Sequence, residues 1–247
     1  MKRLIFFWAI LALPILSFGN KTLMADSYYA KGQYKEAAAG YQQMIGEGNQ
    51  SVKYFYNLGN CYYKLGDIPS ALLYYEKAHR LSPGDEDINF NIRFANLKTV
   101  DKIDEAPEFF LARWWHGFML SYSIHTLAIL SIVVFLVASG LLTLYFFAFS
   151  VTLKKLSFFA SLALFCVGLL IIGIASLQSS YFNSHKQAII FSNSVTVKSG
   201  PVSSSGTLFV LHEGTKVNVL STTNGWIKIR LANGNEGWMK TTDVKNI

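Results

Sequence analysis

Phe55-Tyr56-Asn57-Leu58-Gly59-Asn60-Cys61-Tyr62-Tyr63-Lys64-Leu65-Gly66-Asp67-Ile68-Pro69-Ser70-Ala71-Leu72-Leu73-Tyr74-Tyr75, closing at Pro83, decides the fold of the first third of the chain. It reads as two helices joined by a sharp turn. Gly66 can end the first helix in the left-handed conformation, Asp67 can cap the second, and Pro69 suits its first turn. Small Gly59 and Ala71 let the two helices cross closely, and large Tyr62 and Tyr75 fill the space beside them. The stretch is also a repeat. At an offset of 34 residues Tyr28 matches Tyr62, Tyr29 matches Tyr63, Gly32 matches Gly66, Ala37 matches Ala71 and Tyr41 matches Tyr75. Self-similarity at such a period signals stacked helical pairs, none of which can bury its apolar face alone.

The pattern Phe55-x2-Leu58-Gly59-x2-Tyr62, Ala71-x3-Tyr75, Pro83 resembles the tetratricopeptide repeat (TPR). The first copy departs from it, with Ala25 in place of Gly and Met44 in place of Ala. The stretch Asp87–Val100 keeps helical spacing through Phe90, Phe94 and Leu97 but has Arg93 where Gly would stand, so it is expected to be a capping helix. Residues 20–105 are thus expected to form a TPR domain of two repeats and a cap. The resemblance implies a concave groove for a peptide or partner helix, faced by Tyr29, Tyr56, Asn60, Tyr63 and Lys64. For the tyrosines, packing between helices is the competing reading. A clamp for a carboxylate ligand would want basic groups on the first helices, which carry Asp26 and Asp87 instead.

Outside this region the chain turns apolar. Only 15% of its 247 residues are charged, against about 25% in an ordinary soluble protein. Lys2 and Arg3, the apolar run Leu4–Leu16 and the small residues Ser17 and Gly19 resemble an export signal over 1–19, with an uncleaved anchor as the alternative. From Trp114 to Leu153, and again from Leu156 to His185, there is no Asp, Glu, Lys or Arg. Residues 124–149 and 156–178 are each long enough to span about 30 Å of hydrocarbon. Aromatic residues gather at their ends, as amphipathic rings do at membrane surfaces. The short loop 150–155 holds Lys154 and Lys155, which places it in the cytoplasm and both flanking domains outside. With no intramembrane charge, anchoring is favoured over transport. Ser139/Thr143 and Ser157/Ser161 are small-residue pairs that could seat helix on helix. The aromatic connector 106–123 reads either as an interfacial segment or as a docking patch.

Residues 187–247 alternate in short runs: Val195-Thr196-Val197, Val217-Asn218-Val219 and Ile227-Lys228-Ile229-Arg230-Leu231. Asn224-Gly225 and Asn233-Gly234 mark hairpin turns. A small β-barrel without free edges is expected. The segments Val195–Pro201, Leu211–Val217, Gly225–Ile229 and Asn233–Trp238 resemble bacterial SH3 domains, with Thr196 and Lys198 as departures. That resemblance implies peptide, cell-wall or protein ligands, with Trp226 and Trp238 as candidate contacts or, equally, packing residues. The segment has no Cys, so no cell-wall peptidase centre is carried there.

The fold class expected is therefore a multidomain membrane protein: an α-helical TPR solenoid, a two-helix transmembrane hairpin and a C-terminal all-β bacterial SH3 barrel. The net charge of +7 is spread thinly, so nucleic acid is not an expected partner. Cys61 and Cys166 are unpaired in pattern, and the five histidines are scattered, so no catalytic residue, metal site or cofactor is expected. The order of parts, with Phe109-Phe110-Leu111-x-Arg113-Trp114-Trp115 and Leu208–Val217, resembles the BatE family of Bacteroides aerotolerance operons. The resemblance implies an inner-membrane scaffold with both soluble domains periplasmic, beside membrane proteins carrying von Willebrand A domains, in envelope stress or oxygen tolerance. A cell-wall tether, its SH3 domain on peptidoglycan and its TPR on an envelope enzyme, is the alternative.

Overall fold

A computed structural model describes residues 22–104 and 106–247, so the expected signal at 1–19 lies outside the described residues. Two compact units are found. Of the described residues, one holds 22–79, those of 86–106 and Lys186–Ile247; the other holds Arg80–Asp85 and Pro107–His185.

The first unit begins with helix α1 (residues 22–30). It continues through α2 (Tyr34–Gly46), α3 (Val52–Leu65), α4 (Ile68–Leu81) and α5 (Glu86–Asn96). The turn chemistry works as the residues suggest. Ser51 caps α3 by accepting from the Tyr54 amide, and Gly66 ends it at φ 83°. Asp67 accepts from the Ser70 amide at 3.0 Å. A Cβ on Gly59 would lie 2.6 Å from the Tyr75 ring, which is how closely the α3–α4 pair crosses. In the first repeat Ala25 takes the glycine's place, and the room is supplied from the other helix: a Cβ on Gly40 would lie 3.0 Å from that of Ala25. Ala25, Ala37, Tyr41, Met44, Leu58 and Cys61 form the core there.

The same unit contains seven strands: β1 (Gln187–Ile190), β2 (Ser194–Lys198), β3 (Thr207–His212), β4 (Lys216–Thr223), β5 (Trp226–Arg230), β6 (Glu236–Lys240) and β7 (Val244–Asn246). They make one sheet in the order β3-β2-β6-β5-β4-β1-β7. Asn224 and Gly225, at φ 47° and 78°, turn β4 into β5. Val195, Val197, Val217, Ile227, Ile229 and Met239 face a common core. The expected closed barrel is corrected: the order is open, with β3 and β7 unpaired on their outer sides. The helices cover one face of the sheet at β1, while the edge strand β7 keeps Lys245 and Asn246 exposed. Ile189 joins the cluster of Ala71, Leu72, Leu73, Tyr75 and Ala95, with Phe191 and Ile247 packed alongside. Each fully buried side chain of this size contributes about 1.5–3 kcal/mol.

Polar contacts tie the same two modules. Glu76, almost fully buried, meets Lys216 at 2.8 Å. Asp101, just past the helical repeats, accepts from the His212 amide at 2.6 Å, from His212 Nδ1 at 2.9 Å and from Thr215 Oγ1 at 2.7 Å. Burial works against its charge, yet these hydrogen bonds win and hold its carboxyl below the ordinary value of 3.8. Ile103 then packs on the sheet core, and the Ala106 amide donates to the Ala232 carbonyl at 2.9 Å. Asp101, Ile103 and Ala106, at the expected boundary between TPR domain and connector, thus form a strap bound to the SH3 sheet.

The second unit holds α6 (Phe110–Met119), α7 (Ile124–Phe147) and α8 (Val151–Ser184). Helices α7 and α8 are long and apolar enough to cross a membrane. They form an antiparallel hairpin: Ser161 Oγ donates to the Ala138 carbonyl at 2.8 Å, and Gln178 Nε2 to the Tyr122 carbonyl at 2.9 Å. A Cβ on Gly168 would lie 2.7 Å from the Phe135 ring. Ser157 and Ser161 are buried between the helices. Ser139 and Thr143 instead stand exposed and bond to their own helix, so one small-residue pair seats the helices and the other does not. Residues 151–155 were expected to be loop and are the first turn of α8, so Lys154 and Lys155 are helical. Nothing in that run breaks a helix, and Ser150 stands at its N-cap.

Candidate functional site

Tyr29, Asn60, Tyr63 and Lys64 come together around one cavity of about 190 Å³, joined by Tyr75, Phe90, Asn91 and Phe94. The repeat explains the convergence. Tyr29 on α1 and Tyr63 on α3 occupy the same repeat position, and Asn60 and Lys64 lie one turn apart from each other on α3. Tyr56 does not line the cavity, but its hydroxyl accepts from Asn91 Nδ2 at 2.9 Å behind it. Asn60 Oδ1 accepts from the Tyr75 hydroxyl at 2.8 Å and from Asn91 Nδ2 at 3.1 Å. Asn60 is thus a fixed part of the wall. Tyr63 lies between Phe94, with ring centroids 5.6 Å apart, and the Lys98 ammonium, 4.9 Å from the ring. Phe90 and Phe94 stack on each other and are 57% and 45% exposed, so the groove keeps an apolar rim open to solvent.

Phe90, Asn91 and Phe94 were not expected in the groove. Their signal was the i, i+4 spacing of the two phenylalanines, which was read only as the mark of a cap. Asp26 proves to be internal wiring: Lys53 donates to it at 2.8 Å and the Tyr41 hydroxyl also donates. Burial opposes its charge, but these two donors hold the carboxyl below its ordinary value. Cys61 is buried beneath the groove, and burial pushes its thiol up to about 12, which leaves it a packing group and a poor nucleophile.

On the SH3 sheet, strand register places both tryptophans on one face. Trp238 stands opposite Lys198 on β2 and Lys228 on β5, and Trp226 stands opposite Lys240. Their neighbours Ile227 and Met239 point into the core, so by alternation the tryptophans point away from it. Trp226, Lys198 and Lys240 line a cavity of about 310 Å³ with Ser194, Thr196 and Asp243. Trp238 lies outside that cavity, on the same face. Lys228 and Arg230 both donate to Glu236 and hold its carboxyl below the ordinary range. A third cavity, about 430 Å³, opens where α5, the Asp101 strap and the β3–β4 turn meet, and Arg93, Asn96 and Lys102 line it. Among the described residues there is no cluster of three or more His, Cys, Asp or Glu side chains that could hold a metal.

Comparison with known proteins agrees with these two modules. Residues 23–47 and 52–85 each match a tetratricopeptide repeat family, and residues 193–245 match the family described as bacterial SH3 domain. No curated protein matches the chain. Among solved structures, the chain is similar to an NlpC/P60 family protein from Bacillus cereus ATCC 10987, at 15% identity and a TM-score of 0.22. The likeness covers 28% of this chain and only 22% of that one. The chain thus carries tetratricopeptide repeats and a bacterial SH3 domain, joined to two long apolar helices.

Proposed function

We propose that the protein is a non-enzymatic scaffold of the inner membrane, holding its TPR groove and SH3 face on the periplasmic side. The observation that carries this reading is the groove itself. Its walls are fixed by Tyr75, Asn60 and Asn91, while Tyr63, Lys64, Phe90 and Phe94 stay open. That combination of a rigid aromatic floor, an apolar rim and the basic Lys64 and Lys98 suits an extended or helical peptide segment with apolar side chains and an acidic group. The packing of TPR and SH3 modules into one unit supports a hairpin that returns to the side it left, since the two apolar helices lie between them in sequence. The long exposed apolar surfaces of α7 and α8 support a lipid environment. The further reading, a Bat-type aerotolerance or envelope-stress complex with von Willebrand A domain membrane proteins as partners, rests on the resemblance of the part order and motifs.

The test is photo-crosslinking from position 63 in native membranes, followed by identification of the captured proteins. A specific membrane partner is expected. Substituting Lys64→Glu with Phe90→Ser and Phe94→Ser should lower its capture about tenfold, equivalent to about 1.4 kcal/mol. Capture that is absent, or unchanged in this variant, removes the scaffold reading.

A cell-wall tether is supported by one observation, the face where Trp226 and Trp238 alternate with Lys198, Lys228 and Lys240. Aromatic planes flanked by ammonium groups suit a sugar chain bearing carboxylates. The solubilised full-length protein should then sediment with purified peptidoglycan sacculi, and less so after Trp226→Ala. Failure of the unaltered protein to sediment removes this reading.

A further inference from the structure

Helix α6 has two different sides. At about 100° per residue, Phe110, Leu111, Trp114, Trp115 and Phe118 fall within an arc of about 140°, and all are 42–67% exposed. Ala112, His116 and Met119 lie on the opposite side. Met119 is buried there, and the His116 ring sits 5.3 Å from that of Tyr181 on α8. His116 Nδ1 lies 2.8 Å from Glu108 Oε1. One side is thus docked on α8, and the aromatic side is presented outward.

The register of the hairpin fixes the height at which this happens. Gln178 is level with Tyr122, two residues before α7 starts at Ile124. The end of α8, through Ser184, therefore rises about 9 Å beyond the level of Tyr122, at about 1.5 Å per residue. Tyr181 belongs to that rise. Helix α7, with 24 residues, is about 36 Å long, somewhat more than the roughly 30 Å of a hydrocarbon layer. The Gln178–Tyr122 bond and α6 consequently lie at the level where hydrocarbon gives way to headgroups. Aromatic rings are favoured there, and an amphipathic helix can lie there with its apolar side down.

We propose that α6 lies in the interfacial layer of the bilayer and that its Phe110–Leu111–Trp114–Trp115–Phe118 face is buried in lipid. This rests on the reading of α7 and α8 as spans. The occupant is the lipid surface because α6 packs on the end of α8 and exposes large apolar residues, as α7 and α8 do along their length. The chain has five tryptophans, which allows a direct test in phosphatidylcholine vesicles. A Trp8→Phe, Trp226→Phe, Trp238→Phe variant keeps only Trp114 and Trp115. Its emission should be blue-shifted, quenched more by lipids brominated near the headgroup than near the chain ends, and little affected by aqueous iodide. The complementary Trp114→Phe, Trp115→Phe variant should lose the bromolipid-sensitive share of the emission. Protein that floats with the vesicles but whose Trp114 and Trp115 are quenched by iodide and not by bromolipid overturns the proposal, and leaves this face to a protein partner or to water. Protein that fails to float overturns the spans as well.

Discussion

An Asp101→Ala variant is expected to expose the His212 backbone amide to hydrogen exchange about a hundredfold faster, a loss of about 3 kcal/mol in local stability. One carboxylate holds three donors, the His212 amide, His212 Nδ1 and Thr215 Oγ1. Removing it strands those donors at a partly buried junction, where an unmet polar group costs more than the hydrogen bond contributed. The effect should spread along the strap to the Ala106 amide and stay small in the α1–α3 part. Exchange at His212 that is no faster in the variant, with the SH3 sheet intact, would mean the strap is held by its apolar contacts alone. The same carboxylate sets an acid limit. Its folded value is depressed, so its contribution is complete above the ordinary value of 3.8 and disappears as pH falls through the lower folded value. The difference in stability between the unaltered protein and the variant should therefore be constant above about pH 5 and shrink below about pH 4.

Gly59→Ala should cost about 2 kcal/mol and lower the melting temperature of the helical signal by about 4–8 °C. The added methyl would sit 2.6 Å from two ring carbons of Tyr75. That ring is buried and its hydroxyl is tied to Asn60, so it cannot swing aside. Because Asn60 is also part of the groove wall, partner capture should weaken together with stability. Gly46→Ala is the control: a Cβ there meets nothing within 4 Å, and its melting temperature should be unchanged or slightly higher. Equal melting temperatures for the two variants would show that the helices can separate at Gly59 without cost.

What could be read from the sequence was what depends on neighbours within about one repeat. Gly66, Asp67 and Pro69 act locally, so the α3–α4 turn was legible, as were the alternating strands and the Asn224-Gly225 hairpin. The 34-residue echo brought Tyr29 and Tyr63 to one groove. What was not legible depends on surfaces that meet across more than a hundred residues. Gln187–Ile190 is a short apolar run whose sequence does not say that Ile189 will finish a helical core. Asp101 gave no signal at the end of the helical domain, because the three donors it serves come after the hairpin in sequence. Whether the outer strands close on each other is equally non-local: β3 and β7 stay apart, and the helices cover a face of the sheet at Ile189, which no alternating run announces.

That cover has a consequence for how the protein is made. Leu72 and Leu73 are synthesised early, but Ile189, Phe191 and Ile247, which pack with them, emerge only after α7 and α8. Until both long helices have been made and the chain has come back, the end of the helical repeat presents raw apolar surface. A chain cut short before Gln187 would leave that core unfinished, with Leu72 and Leu73 deprived of the partners that bury them.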